Sequence, residues 1–234
     1  MNYIRSRFGR TQTSGKSTGL FGVLILMVCL SVTGLNGCSS NYQASNSASN
    51  VYEFPIKPGT EAWKALASES EMIAACQIPD NKLRDMSTAD LAETVLNYPL
   101  INNWWASDLL NWWELESTNL DFDNMVKQFN GLSELLTRED TGNALLAEYN
   151  GIDPASIKST TLLPEQATLY FKVLNIEFLL SRNLILSQLT PDEIGTLLSR
   201  AKEIYNIKYL YPDYYSGDSQ QLTSFLIEKV SRWK

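Results

Sequence analysis

Two apolar stripes share one stretch of this chain and constrain its fold more than any other feature. Within residues 164–189, Phe171, Leu174 and Phe178 recur at helical spacing, and Leu169, Val173, Ile176 and Leu180 recur on a second side. A surface helix carries one apolar stripe and turns its other face to water, whereas a helix apolar on two sides has to be covered on both. The segment is therefore expected at the centre of a helical assembly, with a bend near Arg182 and Asn183. Asn175 and Glu177 fall inside it. A carboxylate there calls for a cationic partner, and Arg182 and Arg200 are the candidates. The functional alternative is an acid with a raised pKa.

The remaining segments also show helical periods, and no long alternating run marks a sheet. Thr60 is placed to cap a first helix holding Trp63, Leu66, Ala67 and Ile73. "STAD" at residues 87–90 reads as a capping box opening a helix with Leu91, Val95 and Leu96. "FDNMVKQFNG" predicts a short helix for which Gly131 supplies a left-handed stop, and "TGNALLAEYNG" another that closes at Gly151. "TPDE" from Thr190 places a cap, a proline and a glutamate as a helix start requires. Its helix carries Ile194, Leu197, Leu198, Ala201, Ile204 and Tyr205, and a last helix holds Leu222, Phe225, Leu226 and Val230. The expected fold class is all-α, an irregular multi-helix array of about nine to ten helices in one domain. A short α-solenoid is the alternative, although no repeat of fixed period is evident.

Residues 1–37 have the organisation of a signal peptide. Arg5, Arg7, Arg10 and Lys16 form a basic start, followed by the apolar run "LFGVLILMVCLSV". That run is short for a membrane-spanning helix, which needs roughly 20 residues. "LNGC" at residues 35–38 resembles the lipobox of bacterial lipoproteins, which implies that Cys38 becomes the first mature residue and carries a lipid such as palmitate. Asn36 departs from the small or β-branched residue usual there, and an uncleaved anchor or a plain signal peptide are the alternatives. Ser39 stands where the inner-membrane retention signal of Gram-negative lipoproteins has aspartate, which implies the outer membrane in an organism that has one. Residues 38–53, beginning "CSSNYQASNSASN", have almost nothing to bury and read as a disordered tether. A flexible coil of that kind holds a domain about 20 Å from the bilayer on average. Residues 54–234 are then a single α-helical domain in an extracytoplasmic, lipid-anchored protein.

Composition narrows the function classes. All 26 acidic residues follow the signal, whereas four of the 19 basic residues lie within it, leaving 26 against 15 and a formal charge of −11. A surface this acidic repels phosphate backbones and anionic headgroups, which argues against nucleic acid and a polybasic membrane contact. Once Cys29 leaves with the signal and Cys38 is lipidated, Cys76 is alone, so no internal disulfide is available. It sits at an alanine-rich helix end, as a buried, inert thiol would. The chain contains no histidine, which removes Ser-His-Asp and Cys-His catalysis and ordinary zinc sites. No phosphate-binding glycine motif is present; "GKST" at residues 15–18 lacks its upstream glycine.

Carboxylates survive these exclusions. Glu114, Glu116, Asp121 and Asp123 lie close to a tryptophan cluster, a combination that glycosidases use. Asp121 and Asp123 also have the first spacing of a calcium loop, without its glycine and terminal glutamate. Of the six tryptophans, four lie in residues 104–113. Trp105 and Trp112 continue a stripe with Ile101 and Leu109 and are assigned to the core, while Trp104 and Trp113 flank it. The candidate binding surface comprises Trp104 and Trp113 together with Tyr211, Tyr214 and Tyr215 of the tyrosine-rich "YLYPDYYSGD" segment. Packing of these tyrosines under the last helix is the structural alternative.

"CQIPDNKLRDMSTADLAETVLNYPL" and "FNGLSELLTREDTGNALLAEY", within residues 76–149, are similar to segments of an uncharacterised family of secreted or lipid-anchored bacterial helical proteins. The resemblance implies a helical fold and an envelope location and no activity. The expectation is a non-catalytic domain that acts through protein contacts in the bacterial envelope, held to the membrane by the lipid on Cys38. Its partner is an unidentified envelope protein, with no cofactor, no metal and no nucleic acid. The alternative is a glycan-binding or glycan-hydrolysing surface lipoprotein.

Overall fold

The computed structural model describes residues 49–101, 120–153, 156, 164–212, 215 and 217–233. Eleven α-helices and no strand occur among the described residues, so the fold is all-α. In chain order they are α1 (Glu61–Lys64), α2 (Glu69–Ala75), α3 (Asp80–Asp85), α4 (Thr88–Leu96), α5 (Leu120–Gln128) and α6 (Asn130–Leu135). There follow α7 (Thr141–Gly151), α8 (Pro164–Leu180), α9 (Asn183–Leu186), α10 (Pro191–Leu210) and α11 (Gly217–Arg232).

The doubly apolar segment is α8, and it occupies the expected place. Every residue from 173 to 180 is buried, and α8 packs against α4, α7, α9 and α11. The expected bend is a break: α8 ends at Leu180, Arg182 is extended, and α9 restarts at Asn183. α7 is the second hub, touching α4, α8, α9 and α10. Such contacts between helices distant in sequence are unlike a solenoid, in which each unit meets only its neighbours.

Local chemistry sets the helix ends. The hydroxyl of Thr60 accepts from Trp63 N–H at 3.2 Å and opens α1. The Ser68 hydroxyl accepts from Glu71 N–H at 3.3 Å, so the single first helix expected from periodicity is two short ones. Thr190 and Glu193 cap each other's backbone, as "TPDE" predicts. Two arginines serve helix C-termini from elsewhere in the chain, where the last carbonyls lack partners within the helix. Arg138 donates to Leu83 O at 3.1 Å and Met86 O at 2.8 Å at the end of α3. Arg200 donates to Tyr149 O at 3.2 Å and to Ile152 O at the end of α7.

A pair of side-chain amides joins α6 to the segment after α2. Asn130 accepts from Ile78 N–H at 3.0 Å and donates to Ile78 O at 2.7 Å. Gln77 accepts from Asn130 N–H at 3.0 Å and donates to Gln128 O at 2.8 Å. Beside this clasp the Phe129 and Tyr98 rings stack 3.9 Å apart, 14° from parallel. Cys76 is buried against the same core, and burial pushes its thiol up to about 11.

Gly131 departs from its expected role, whereas Gly151 closes its helix as expected. Gly131 is not a left-handed stop: α5 ends at Gln128, Phe129 is extended, and Gly131 lies inside α6. Gly151 is the last residue of α7, also without a positive φ. Gly131 is required by close packing, since a Cβ there would sit 2.5 Å from the Phe129 ring and 2.7 Å from Ile78 Cδ1. Gly142 makes a similar approach between α7 and α9, where a Cβ would meet Ile185 O at 3.0 Å. Residues 49–53, which composition assigns to the tether, lie against α4.

The two glycines give a paired test. Gly131→Ala forces the Phe129 ring off Tyr98 and is expected to cost about 1–3 kcal/mol. At Gly151 a Cβ meets nothing within 4 Å, and Gly151→Ala is expected to gain about 0.5–1 kcal/mol. Urea denaturation midpoints measure both, and equal effects would contradict the packing account.

Candidate functional site

Four helices converge on a charge network with no solvent access. Glu177 is supplied by α8, Lys208 by α10, Thr223 and Ser219 by α11, and Tyr149 by α7. Lys208 Nζ lies 2.8 Å from Glu177 Oε2, and neither side chain exposes any surface. The ammonium also donates to Thr223 Oγ1 at 2.9 Å and approaches Ser219 O at 3.4 Å, so its three protons have acceptors. Tyr149 donates its phenol to Glu177 Oε1 at 2.9 Å. The Thr223 hydroxyl lies 3.0 to 3.2 Å from the two carboxylate oxygens and 3.0 Å from Ser219 O. Its single proton serves one of these at a time.

The surroundings complete the enclosure. Tyr215 places its ring 5.9 Å from Lys208 Nζ, a cation–π arrangement, and itself packs on Tyr170 with centroids 5.7 Å apart. Gln220 donates to Lys208 O and Tyr215 O, both at 3.3 Å, tying the end of α10 to α11. Burial lowers the Lys208 pKa, and the Glu177 charge opposes that shift. Burial also raises Tyr149, with further upward contributions from the Glu177 carboxylate.

The partner of Glu177 is therefore Lys208, not Arg182 or Arg200. The Arg182 guanidinium lies 4.0 Å from the Phe122 ring and 4.4 Å from that of Phe178, where burial lowers it to about 10 and the Asp123 charge opposes the shift. Arg200 is committed to the end of α7 and to Glu203 at 2.5 Å. The sequence does contain the signal for Lys208. It takes the next place in the stripe Leu197, Ala201, Ile204, and Thr223 takes the corresponding place among Ser219, Leu226 and Val230. A lysine or threonine in an apolar register points inward as an isoleucine would.

Other candidate residues are distributed as follows. Tyr215 is 1% exposed and belongs to the core rather than to a binding surface. Tyr211 is partly buried against the core, while Tyr209 and Leu210 are 67% and 69% exposed. Asp121 and Asp123 lie in α5, a helix rather than a calcium loop. Trp104, Trp105, Trp112, Trp113, Glu114, Glu116, Tyr214 and Cys38 lie outside the described residues. Among the described residues no group of three acidic or cysteine side chains is arranged to hold a metal. A cleft of about 220 Å³ lies elsewhere, lined by Glu148, Gly151, Ile152, Asp153, Leu169 and Lys172. An ion pair from Lys172 to Glu148 at 2.7 Å occupies its wall. Neither Glu177 nor Lys208 reaches it.

No family profile matches the chain, and neither curated proteins nor solved structures provide a similar protein.

Two expectations follow from the buried pair. Lys208→Met leaves a carboxylate without its counter-ion and is expected to cost about 3–5 kcal/mol. Adding Glu177→Gln removes the charge yet keeps an acceptor for Tyr149, so the double variant should regain most of the loss in urea denaturation. A double variant as unstable as the two losses summed would refute the coupling.

Alkaline pH provides the second. Cys76 is raised from 9.0 to about 11, and Tyr98 and Tyr149 are raised above their ordinary 10.0. In this range the unfolded chain gives up protons that the folded chain retains, so the stability is lost as pH rises above 9.0 for Cys76 and above 10.0 for the two tyrosines. Lys208, lowered from 10.5, acts in the opposite sense. The thermal midpoint should fall between about pH 8 and about pH 11, and less steeply in Tyr149→Phe, as circular dichroism would record.

Proposed function

We propose that this chain is a lipid-tethered, extracytoplasmic helical domain that acts through protein contacts and performs no catalysis of its own. The observation that carries this reading is the sealing of the Glu177–Lys208 network: a fully buried ion pair is spent on joining helices. Catalytic acids and bases have to meet substrate or water, and these meet only each other. What the molecule offers outside is an acidic surface and a few exposed apolar side chains at the end of α10. Tyr209 and Leu210 project there, with Tyr205 and Tyr209 stacked 6.5 Å apart. Tyrosines of this kind suit recognition.

The location rests on the first forty residues, with their basic start, short apolar run and lipobox-like "LNGC". No helix among the described residues is long and apolar enough to cross a membrane. Attachment is assigned to the lipid on Cys38, and the partner is an envelope protein. The glycan alternative depends on Trp104 and Trp113, outside the described residues, and no described feature favours it.

Cys38→Ser tests the reading. It should abolish incorporation of labelled palmitate and move the protein from the membrane to the soluble extracytoplasmic fraction, whereas Cys76→Ser should do neither. Retention of Cys38→Ser in the membrane, or protection of the domain inside the cytoplasm, would overturn the proposal.

A further inference from the structure

We propose that residues 49–54 are a detachable strap that sets how far the domain stands from its membrane anchor; this rests on the reading that Cys38 carries the anchor. The strap is the last stretch of chain between that cysteine and the helical body, so a pull on the tether reaches it first. Its attachments are few and of one kind. Asn50 N–H donates to Asp90 Oδ1 at 3.2 Å, and the Ser49 hydroxyl reaches the same oxygen at 3.4 Å. The Asn50 side chain donates to Asp85 O at 3.3 Å, and Tyr52 N–H donates to Thr94 Oγ1 at 3.0 Å. Three of these four bonds are exposed. Among the described residues no main-chain to main-chain hydrogen bond holds the strap. It lies on α4 as a peptide lies on a receptor.

Phe54 and Tyr52 provide the apolar hold. Phe54 is 3% exposed and meets the Tyr98 ring edge-on, with centroids 6.0 Å apart, and the Phe129 ring at 6.1 Å. Tyr52 covers it edge-on at 5.1 Å. The floor beneath does not depend on the strap, because Tyr98 and Phe129 stack on each other and the amide clasp of Gln77 and Asn130 holds the α6 side of that stack in place. Lifting Phe54 therefore uncovers a formed groove and leaves the core assembled.

The chain beyond the strap is built as a pivot. Pro55 and Pro58 restrict the backbone on both sides of Ile56 and Lys57, and Gly59 takes φ 93°, the one positive φ among the described residues. Thr60 then accepts from Trp63 N–H and starts α1, so motion of the strap stops at a capped helix. Docked, the strap leaves eleven residues from Cys38 to Ala48 as tether, a reach of at most about 36–40 Å. Released, it adds six residues and about 20 Å.

Hydrogen exchange on the full-length lipidated protein in phosphatidylcholine vesicles tests the strap. The amides of Asn50 and Tyr52 should exchange at least about tenfold faster than those of Leu91, Val95 and Leu96 in α4. Phe54→Ala should accelerate the first pair by about a further tenfold and leave the α4 amides unchanged. Energy transfer from a headgroup dye to a dye on the exposed Asn143 position should fall in the same variant. Equal exchange in strap and α4, acceleration of α4 by Phe54→Ala, or unchanged energy transfer would each overturn the proposal. The Cys38→Ser protein in solution should show the same exchange pattern. Failure to associate with vesicles would thus condemn the anchor while leaving exchange to judge the strap.

Discussion

An ammonium and a carboxylate 2.8 Å apart in a dry interior impose an arrangement on everything around them. Removing both ions from water costs several kcal/mol each, and their attraction compensates only when the geometry is good and every remaining proton and lone pair is engaged. Here that condition requires Glu177 on α8, Lys208 on α10, Thr223 on α11 and Tyr149 on α7 to arrive together. A slip of one turn along any of these helices would strand a charge among aliphatic side chains. Apolar packing alone tolerates such slips better, because one leucine substitutes for another with little change. The network selects among packings that the aliphatic stripes would otherwise leave close in energy.

Elsewhere the fold solves the same problem through side chains that bond to backbone groups. Gln77 and Asn130 use side-chain amides to read backbone N–H and C=O groups as a neighbouring strand would, and so set the register of a segment that has no helix at the contact. Arg138 and Arg200 fasten the ends of α3 and α7 by their carbonyls, which the helices cannot satisfy themselves. Gln188 adds a third such link, accepting from Gly142 N–H at 2.7 Å and donating to Arg138 O at 3.0 Å. Most of the helices are too short to be stable alone. Long-range hydrogen bonds to their ends supply the order that length does not.

What is legible in the sequence, and what is hidden, follows from the range of the interactions. Caps and periods act within one or two turns, so Thr60, Ser87, Thr190 and the central place of α8 are all read directly. Gly131 misleads because a glycine after an amphipathic run has the same local appearance whether it ends one helix or begins the next. Its true cause, the Phe129 ring and Ile78, lies partly across the fold. Tyr215 falls among the surface candidates because a tyrosine-rich connection resembles a recognition loop, and its burial comes from across the fold, from Lys208 and the Tyr170 ring. Arginine suggests itself as the charge partner of Glu177 through the usual preference for a bidentate fork. Lys208 is nonetheless visible as a polar residue in an apolar register.

The same distinction between local and distant causes separates the strap from the body. Little in "SNVYE", residues 49–53, marks it as part of the fold: it has no helical period and it follows a polar tract. Its docking comes entirely from surfaces built by other segments, namely the Asp90 carboxylate, the Thr94 hydroxyl and the Tyr98–Phe129 stack. An element that contributes so little to the surfaces holding it can leave them standing when it departs. The charge network is the opposite case, since each of its members is needed to satisfy the others. The protein thus combines a centre that cannot be altered piecemeal with an N-terminal edge held by surfaces that other segments build.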